Sequence, residues 1–316
     1  MRVVFAGTPH VALPALHALL ASPHDVAAAI TRPDSRSGRG RTAGPSPVAT
    51  VAASAGIEVL KPGTPKDPAF LARLAELAPD CCPVVAYGAL IPAVALDIPV
   101  HGWVNLHFSL LPAWRGAAPV QHALLAGDDV TGASTFRLVE ELDAGPVFGS
   151  YTEAVRRGDT AGDLLGRLAE HGAHLLLATL DGIESGTVQP QPQRNDVATY
   201  APKLSPADAR IDWAAPAAAI DRRIRACTPA PGAWTEFRDQ RLKLFGVTPP
   251  APDEPPARRE PPGTLVVDAA GVHVSTGSSA LTVADVQPPG RQRMAALDWA
   301  RGARIRPGEK LGRGQP

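Results

Sequence analysis

Short apolar runs alternate with amphipathic segments along the first two thirds of the chain. Apolar runs predict buried strands at residues 2–7, 25–31, 58–60, 83–86 and 103–107. Between them, residues 15–21 and 65–77 repeat apolar positions at helical spacing. Strands alternating with helices predict an α/β fold with a doubly wound (Rossmann-like), mostly parallel sheet. The β-rich runs 131–139 and 147–154, joined by a turn, predict an antiparallel or mixed end to this sheet.

The chain from residue 164 onward has a different pattern. A long helical repeat over residues 164–183 is followed by a polar segment, 186–200, whose Gln and Pro content is typical of a linker. We therefore expect two domains, 1–205 and 206–316. After a helix at 215–226, five short β-type runs predict a small barrel or sandwich. These runs cover residues 233–237, 241–246, 263–267, 272–276 and 281–286.

Composition places the chain among ordinary globular proteins, with 45% hydrophobic and 20% charged residues in 316. Its longest apolar stretch, 83–100, is interrupted by prolines and Asp97, so no membrane span or membrane partner is expected. Cys81, Cys82 and Cys227 fit neither a disulfide framework nor a zinc site. We expect reduced, buried thiols, no metal and a cytoplasmic protein.

Charge is balanced overall but unevenly distributed. Residues 206–316 carry 16 Lys and Arg against 12 Asp and Glu, and the preceding residues are acidic by the same margin. In addition, Arg32, Arg36, Arg39 and Arg41 lie in one Gly- and Ser-rich loop with a single Asp. Guanidinium groups pair with phosphates, so the loop is a candidate nucleic-acid contact. A solvated loop explains the same composition.

Asn105 and His107 are the first candidates for chemistry. Side chains two apart on a strand point to the same face, and ligands of open α/β sheets bind at the carboxyl ends of strands. An amide that donates to an oxyanion, beside an imidazole that transfers protons, suits a reaction at a carbonyl. Asp143, in a Gly- and Pro-containing turn, could orient the imidazole. Polar residues at a strand end and an ordinary turn are the alternative interpretation.

Taken together, these residues resemble the methionyl-tRNA formyltransferase family over essentially the whole chain. The resemblance is carried by motifs in the family's order and approximate spacing. They are Phe5-Ala-Gly-Thr-Pro9, Val85-Ala-Tyr-Gly88, Asn105-x-His107, Ser109-Leu-Leu-Pro112, Trp114-Arg-Gly-Ala-Ala-Pro119, Asp143-x-Gly145 and Lys203-Leu-Ser with Ala209-Arg-Ile-Asp-Trp213.

The resemblance implies an α/β formyltransferase domain followed by an OB-fold-like, tRNA-binding β-barrel. It implies formyl transfer from 10-formyltetrahydrofolate to the α-amine of initiator methionyl-tRNA, by a monomer. Asn105 would hold the formyl oxygen, and His107 would stabilise charge and move protons. Asp143 would position His107 and, through a water, take the proton of the amine.

Other residues receive binding roles from the same resemblance. Arg115 would join the arginine loop in contacting tRNA. Residues expected to line the folate site are Tyr87, Gly88, Ser109, Leu110, Leu111 and Pro112.

Two departures from the family pattern bear on the pocket and the barrel: Phe108 stands where many members have Gly, and Cys227 opens a stretch that is often more aromatic. Two alternatives stay open at this point. One is a formyltransferase of the same design that acts on a small amine, such as an amino sugar. The other is a nucleic-acid-binding module without catalysis, which would leave Asn105, His107 and Asp143 unexplained.

Overall fold

The structure is a computed structural model, and it describes residues 1–36, 43–248 and 260–312. The chain divides into two compact units. The first holds residues 1–119, 130–154 and 165–201, and the second holds residues 120–129, 155–164 and those from 202 onward. The predicted boundary at 205/206 cuts the chain once, whereas contacts assign two earlier segments to the second unit. No helix within the described ranges is both long and apolar enough to cross a membrane.

The first unit is built on a mixed sheet. The strands of this unit are β1 (Arg2–Gly7), β2 (Asp25–Ile30), β3 (Ser35–Arg36), β4 (Ala43–Gly44), β5 (Glu58–Leu60), β6 (Cys82–Val85), β7 (Trp103–His107), β8 (Val130–Arg137) and β9 (Val147–Ala154). Strands β3 and β4 form a separate two-stranded ladder. The seven-stranded order is β5-β2-β1-β6-β7-β8-β9. Strands β5 to β7 in this order are parallel, and β8 and β9 are antiparallel. The predicted fold class is confirmed, including the antiparallel end.

α-Helices occur in both units, among the residues that the structure describes. They are α1 (Leu13–Leu20), α2 (Pro47–Ser54), α3 (Pro68–Leu77), α4 (Ala93–Leu96), α5 (Pro119–Ala126), α6 (Ala161–Glu184), α7 (Ala217–Ala226) and α8 (Ala296–Ala303). Local chemistry sets several of the starts. Asp67 accepts a hydrogen bond from Ala69 N ahead of the proline that opens α3. Thr160 and Asp163 exchange hydrogen bonds as a capping box at the start of α6.

The two faces of β7 have different neighbours. Trp103 lies in a core cluster with Phe70 and Leu74 of α3, and its indole N–H donates to Ala95 O of α4. Leu106 points the other way, against Gly172 of α6, where an added Cβ would lie 3.0 Å from a Leu106 methyl group. Alternation therefore places Asn105 and His107 on the Trp103 face, away from α6.

The second unit contains an antiparallel sheet. Its strands are β10 (Trp234–Phe237), β11 (Gln240–Thr248), β12 (Leu265–Val267), β13 (Val272–Ser275), β14 (Ala280–Gln287) and β15 (Met294–Ala295). The order is β10-β11-β14-β13-β12, with β15 also paired to β14. Trp213 of the preceding segment is buried on this core and donates to Thr235 Oγ1. The arrangement confirms the OB-fold-like barrel, in a partly open form. The proline-rich insert at 249–262 falls almost entirely outside the described residues.

All three cysteines are free and buried. Burial raises the pKa of the Cys81 thiol to about 12 and that of Cys227 to about 11. Thiols held so strongly in the protonated form are poor nucleophiles. The side chains fill the core, as expected from the sequence.

Candidate active site

His107 ends β7, and its ring is fixed by one hydrogen bond. The residue is only 6% exposed, and its Nε2 lies 2.9 Å from the carbonyl oxygen of Trp114. A carbonyl oxygen only accepts hydrogen bonds, so Nε2 carries the hydrogen and donates. In the neutral ring, Nδ1 therefore bears the lone pair. Nδ1 is the nitrogen that can gain or lose a proton without breaking the bond to Trp114.

Nδ1 faces the Asp143 carboxylate. The distance from Nδ1 to Asp143 Oδ2 is 3.7 Å, and the Asp143 side chain is 12% exposed. Burial lowers the pKa of His107, while the Asp143 carboxylate and the Trp114 carbonyl act in the opposite direction and offset part of that effect. The ring is thus mainly neutral near pH 7, with a carboxylate beside the nitrogen that would become charged.

Asp143 reaches His107 from a turn with unusual backbone geometry. Its φ is +49°, in the left-handed region that Asp tolerates better than most residues. Oδ2 accepts a hydrogen bond of 2.7 Å from the backbone N–H of Gly116. Two residues on, Gly145 passes so close to the carbonyl oxygen of Arg137 that a Cβ would collide with it. Asp143 is therefore needed at this turn for its carboxylate, and Gly145 is needed because a side chain at that position would collide with the backbone.

Asn105 completes the group on the same face of β7. It is partly buried and pairs across the sheet with Phe136, whose ring meets His107 edge-on at 6.3 Å between centroids. Within residues 1–36, 43–248 and 260–312, the Asn105 side chain forms no hydrogen bond. Its amide is thus available to donate to a ligand oxygen. The structure brings Asn105, His107 and Asp143 to one side of the sheet.

Comparison with known proteins identifies the family. A sequence model described as "Formyl transferase" matches residues 1–180, and one described as "Formyl transferase, C-terminal domain" matches residues 203–304. The protein named methionyl-tRNA formyltransferase from Thermobifida fusca is 62% identical over 312 residues, 99% of each chain. The chain belongs to the methionyl-tRNA formyltransferase family. It is an enzyme of the formyl-transferring class.

Solved structures share the fold at lower identity. A methionyl-tRNA formyltransferase from Clostridium thermocellum has a TM-score of 0.57 and 14% identity, covering 90% of this chain and 98% of that one. An N-formyltransferase from Helicobacter canadensis, in complex with folinic acid and dTDP-3-aminofucose, has a TM-score of 0.68 and 15% identity, covering 92% and 99%. One fold thus serves formyltransferases with different acceptors, and fold alone does not separate them.

The residues predicted for folate binding fall into two groups. Tyr87 is 2% exposed and Ser109 is fully buried. The Ser109 hydroxyl donates to Ala113 O at 2.6 Å, which stabilises the turn that contains Pro112. Leu110, Leu111, Pro112 and Gly88 keep some or much of their surface exposed. Leu110, Leu111, Pro112 and Gly88 are accessible to a ligand, whereas Tyr87 and Ser109 are buried beneath the surface.

A cavity of about 510 Å³ lies beside the segment that leads into the Asp143 turn. Leu138, Val139 and Glu140 form one wall, and the opposite wall comes from residues 93–102. None of the six predicted folate residues lines it. Its volume is in the range of small-ligand sites. This cavity could not be predicted from the sequence, because its walls come from two segments that are distant along the chain.

The arginines predicted to contact tRNA have different surroundings. Arg32 lies two residues after the end of β2, is partly exposed, and its backbone N–H donates to Thr8 Oγ1. Arg36 lies on β3, paired with Ala43, and Arg39 and Arg41 lie outside the described residues. Arg115 is only 1% exposed, and its guanidinium is bonded to the side-chain oxygens of other residues. The predicted phosphate contact by Arg115 does not fit this burial.

Sequence reasoning interprets residues 186–200 as a linker and misses the contacts that this segment makes. In this segment Gln193 Nε2 donates to Asp143 O at 2.8 Å and to Gly145 O at 2.7 Å. Thr199 Oγ1 accepts from Trp114 N, and Thr199 O accepts from Arg115 N. The composition of the segment is typical of a linker, and no periodicity marks it, so nothing in the single sequence indicated this role.

A second group of titratable residues, separate from His107 and Asp143, consists of His24, Asp181 and Glu184. His24 Nε2 is 3.1 Å from Asp181 Oδ1, and Glu184 is near the other ring nitrogen. The two carboxylates, on the last turn of α6, are each half exposed. The contacts join the start of β2 to the end of α6.

Proposed function

We propose that the chain transfers the formyl group of 10-formyltetrahydrofolate to the α-amine of methionine esterified to initiator tRNA. Membership of the methionyl-tRNA formyltransferase family supports the acceptor. The observation that carries the proposed mechanism is the His107 ring, whose Nε2 is bonded to Trp114 O and whose Nδ1 faces Asp143. We expect the enzyme to act as a monomer in the cytoplasm.

The reaction needs one oxygen to be stabilised and one proton to be moved. The amine nitrogen attacks the formyl carbon, and the C=O electron pair moves to the oxygen. Asn105, with its amide available, donates to that oxyanion. When the carbon–nitrogen bond to folate breaks, the folate nitrogen takes a proton and the new amide has lost one. A single group can carry that proton from amine to leaving nitrogen.

His107 is suited to carry the proton through Nδ1. Burial lowers the pKa of the ring, so at neutral pH the lone pair on Nδ1 is available to accept the proton of the amine. The resulting imidazolium has the Asp143 carboxylate as its neighbour, which stabilises the charge until the proton is passed on. We therefore assign proton transfer to His107 and charge stabilisation to Asp143, rather than proton removal by Asp143 through a water.

The folate donor has two candidate binding sites. Leu110 to Pro112 follow β7 directly and stay partly exposed, which supports the predicted one. The cavity beside Leu138–Glu140 is the other, and its position next to the Asp143 turn favours it for a flat ring system. Ala93 is exposed and lines the cavity, so Ala93→Trp should fill it without disturbing the core. An increase of about tenfold in KM for the donor is expected if the cavity is used. An unchanged KM would favour Leu110 to Pro112.

The barrel unit offers an aromatic and basic surface for RNA. Trp234 is partly exposed, and the guanidinium carbons of Arg241 and Arg210 lie 4.0 Å and 5.7 Å from its ring centroid. Both arginines are exposed, and Glu236 is 3.7 Å from Arg210. Guanidinium groups held against an indole are ordered in advance for phosphate contacts. We assign this surface, with the loop containing Arg32, Arg36, Arg39 and Arg41, to tRNA binding.

The deciding experiment uses purified protein, 10-formyltetrahydrofolate and charged initiator tRNA. We expect N-formylmethionine to be released after ester hydrolysis, and its rate of formation to be lower by about 10² to 10⁴ with His107→Ala. A dTDP-linked amino sugar serves as the alternative acceptor in a parallel reaction. Faster formylation of the sugar than of methionyl-tRNA would reject the proposed acceptor.

The arginine loop gives a second test of the acceptor. Charge reversal at Arg36, Arg39 and Arg41 should raise KM for tRNA and flatten its dependence on salt, because fewer phosphates are neutralised. KM for the donor should stay the same. Unchanged kinetics with tRNA would remove the loop from the proposed interface.

A further inference from the structure

The turn that carries Asp143 lies beyond the last backbone pairs at its base, where Val147 pairs with Gln191 and Arg137 N donates to Pro146 O. Asp143 lies six residues beyond the end of β8 and four before the start of β9, in a left-handed conformation. Its backbone carbonyl and that of Gly145 both point to the amide of Gln193, about fifty residues later in the chain. The position of the carboxylate thus depends on a side chain that is about fifty residues away along the chain.

The orientation of the Gln193 amide is fixed by its partners. Its Nε2 faces two carbonyl oxygens, which only accept, at 2.8 Å and 2.7 Å. Its Oε1 faces the Arg115 guanidinium, which only donates, at 3.1 Å from Nε and 2.9 Å from Nη2. All four contacts would become repulsive if the amide were reversed. Gln193 is therefore held in one orientation by the buried Arg115.

Arg115 connects this amide to both catalytic groups. Its neighbour Trp114 accepts the hydrogen bond from His107 Nε2, and its other neighbour, Gly116, donates to Asp143 Oδ2. Its own guanidinium holds Gln193, which holds the turn. The contacts form a closed circuit through His107, residues 114–116, Asp143 and Gln193. A change at Gln193 is thus transmitted to the separation between Asp143 and His107.

We propose that Gln193, oriented by Arg115, is a positioning residue that fixes the Asp143 turn so that the carboxylate faces Nδ1 of His107. The inference rests on the proposed function, since it concerns the same His107 and Asp143. Neither Gln193 nor Arg115 needs to touch a substrate. The role accounts for a buried arginine whose motif had suggested a phosphate contact.

The test changes the donating side of the Gln193 amide, Nε2, and keeps the accepting side, Oε1. Gln193→Glu keeps an oxygen for Arg115 but replaces the donor to Asp143 O and Gly145 O with a second acceptor, so the turn should move. Gln191→Glu is the matched control, because it makes the same charge change two residues away. Gln191 is exposed, and its side-chain amide contacts only Gln189 O among the described residues.

We expect Gln193→Glu to lower kcat by about 10- to 100-fold, since a displacement near 1 Å can cost about a hundredfold. KM for both substrates should change little. The pKa of the His107 ring, followed by NMR, should fall further, because the carboxylate that raises it has moved away. Gln191→Glu should leave kcat and the titration unchanged.

Two results would overturn the inference. An unchanged kcat and an unchanged His107 titration in Gln193→Glu would show that the turn does not need the amide. A lower kcat explained wholly by a smaller folded fraction, with an unchanged titration, would assign Gln193 to stability alone. Failure of the proposed function is separate: full activity of His107→Ala in the same assay would reject the catalytic pair itself, and this inference with it.

Discussion

The three candidate catalytic groups are held in two different ways. Asn105 and His107 stand on β7, which is paired to β6 on one side and to β8 on the other. Asp143 stands on a turn whose contacts come from Gly116 N and from the side chain of Gln193. Backbone hydrogen bonds to two neighbouring strands hold Asn105 and His107 in place, whereas hydrogen bonds that involve side chains hold Asp143. The strand should therefore tolerate single changes nearby that the turn does not.

The largest expected effect is on the strand side, at His107 itself. His107→Ala removes the proton carrier and should lower kcat by about 10² to 10⁴. Binding of the donor should be largely retained, because the backbone of β7 is unchanged. Stopped-flow or steady-state kinetics with a separate donor-binding measurement checks both points. Lost donor binding with normal kcat at saturation would make His107 a pocket residue.

Asn105→Ala comes next. Loss of one oxyanion donor should reduce kcat by about 10² to 10³ while both KM values stay near those of the unchanged enzyme. The measurement is kcat at saturating donor and tRNA. A variant with a raised KM for either substrate and an intact kcat would place Asn105 in ground-state binding instead.

On the turn side, Asp143→Asn should have a smaller effect than removal of the acid in a Ser-His-Asp triad. There the acid sets the tautomer of the histidine, whereas here the Trp114 carbonyl does so. We expect a loss of about 10- to 100-fold in kcat.

The pH dependence gives Asp143→Asn a distinct signature. Asp143 raises the pKa of His107 against the effect of burial, so its removal should lower that pKa further. If His107 works as a neutral acceptor, activity falls as the pH drops through its pKa. The acid limb of the kcat profile should therefore lie below the ordinary value of 6.5 and move to still lower pH in Asp143→Asn. A shift of the limb to higher pH would contradict the assigned role.

The smallest expected effect is at Glu141, close to the turn but outside its supporting bonds. Its side chain is 65% exposed, and Oε1 is 3.9 Å from Arg115 Nη1. Exposed pairs contribute about 0 to 1 kcal/mol, so Glu141→Gln should change kcat less than about twofold. Thermal unfolding and kinetics of the variant test this. A loss as large as that of Asp143→Asn would mean that charge near Arg115, and not the amide of Gln193, holds the turn.

The same division explains what the sequence could predict. Asn105 and His107 were found because alternation on a strand is a local rule, and the strands themselves follow from runs of apolar residues. Asp143 was found as a turn residue, since Asp-x-Gly is a local signal as well. The tRNA contact of Arg115 stays a prediction. The burial of this side chain could not be predicted from its motif, because exposure is decided by tertiary packing.

The contribution of Gln193 could not be predicted from one sequence. It depends on a chain path that returns to the turn after α6, with no periodic pattern to mark it. The cavity beside Leu138–Glu140 was missed for the same reason. In each case two loops far apart in sequence create a feature that neither encodes alone.

The segment Trp114–Gly116 contacts both members of the proposed catalytic pair, His107 and Asp143. His107 is tied to the carbonyl at one end and Asp143 to the N–H at the other. Because both contacts end on the same three residues, a change in the conformation of this segment would alter the imidazole contact and the carboxylate contact together. The separation of the two groups therefore depends on the backbone of residues 114–116 as well as on their own side chains.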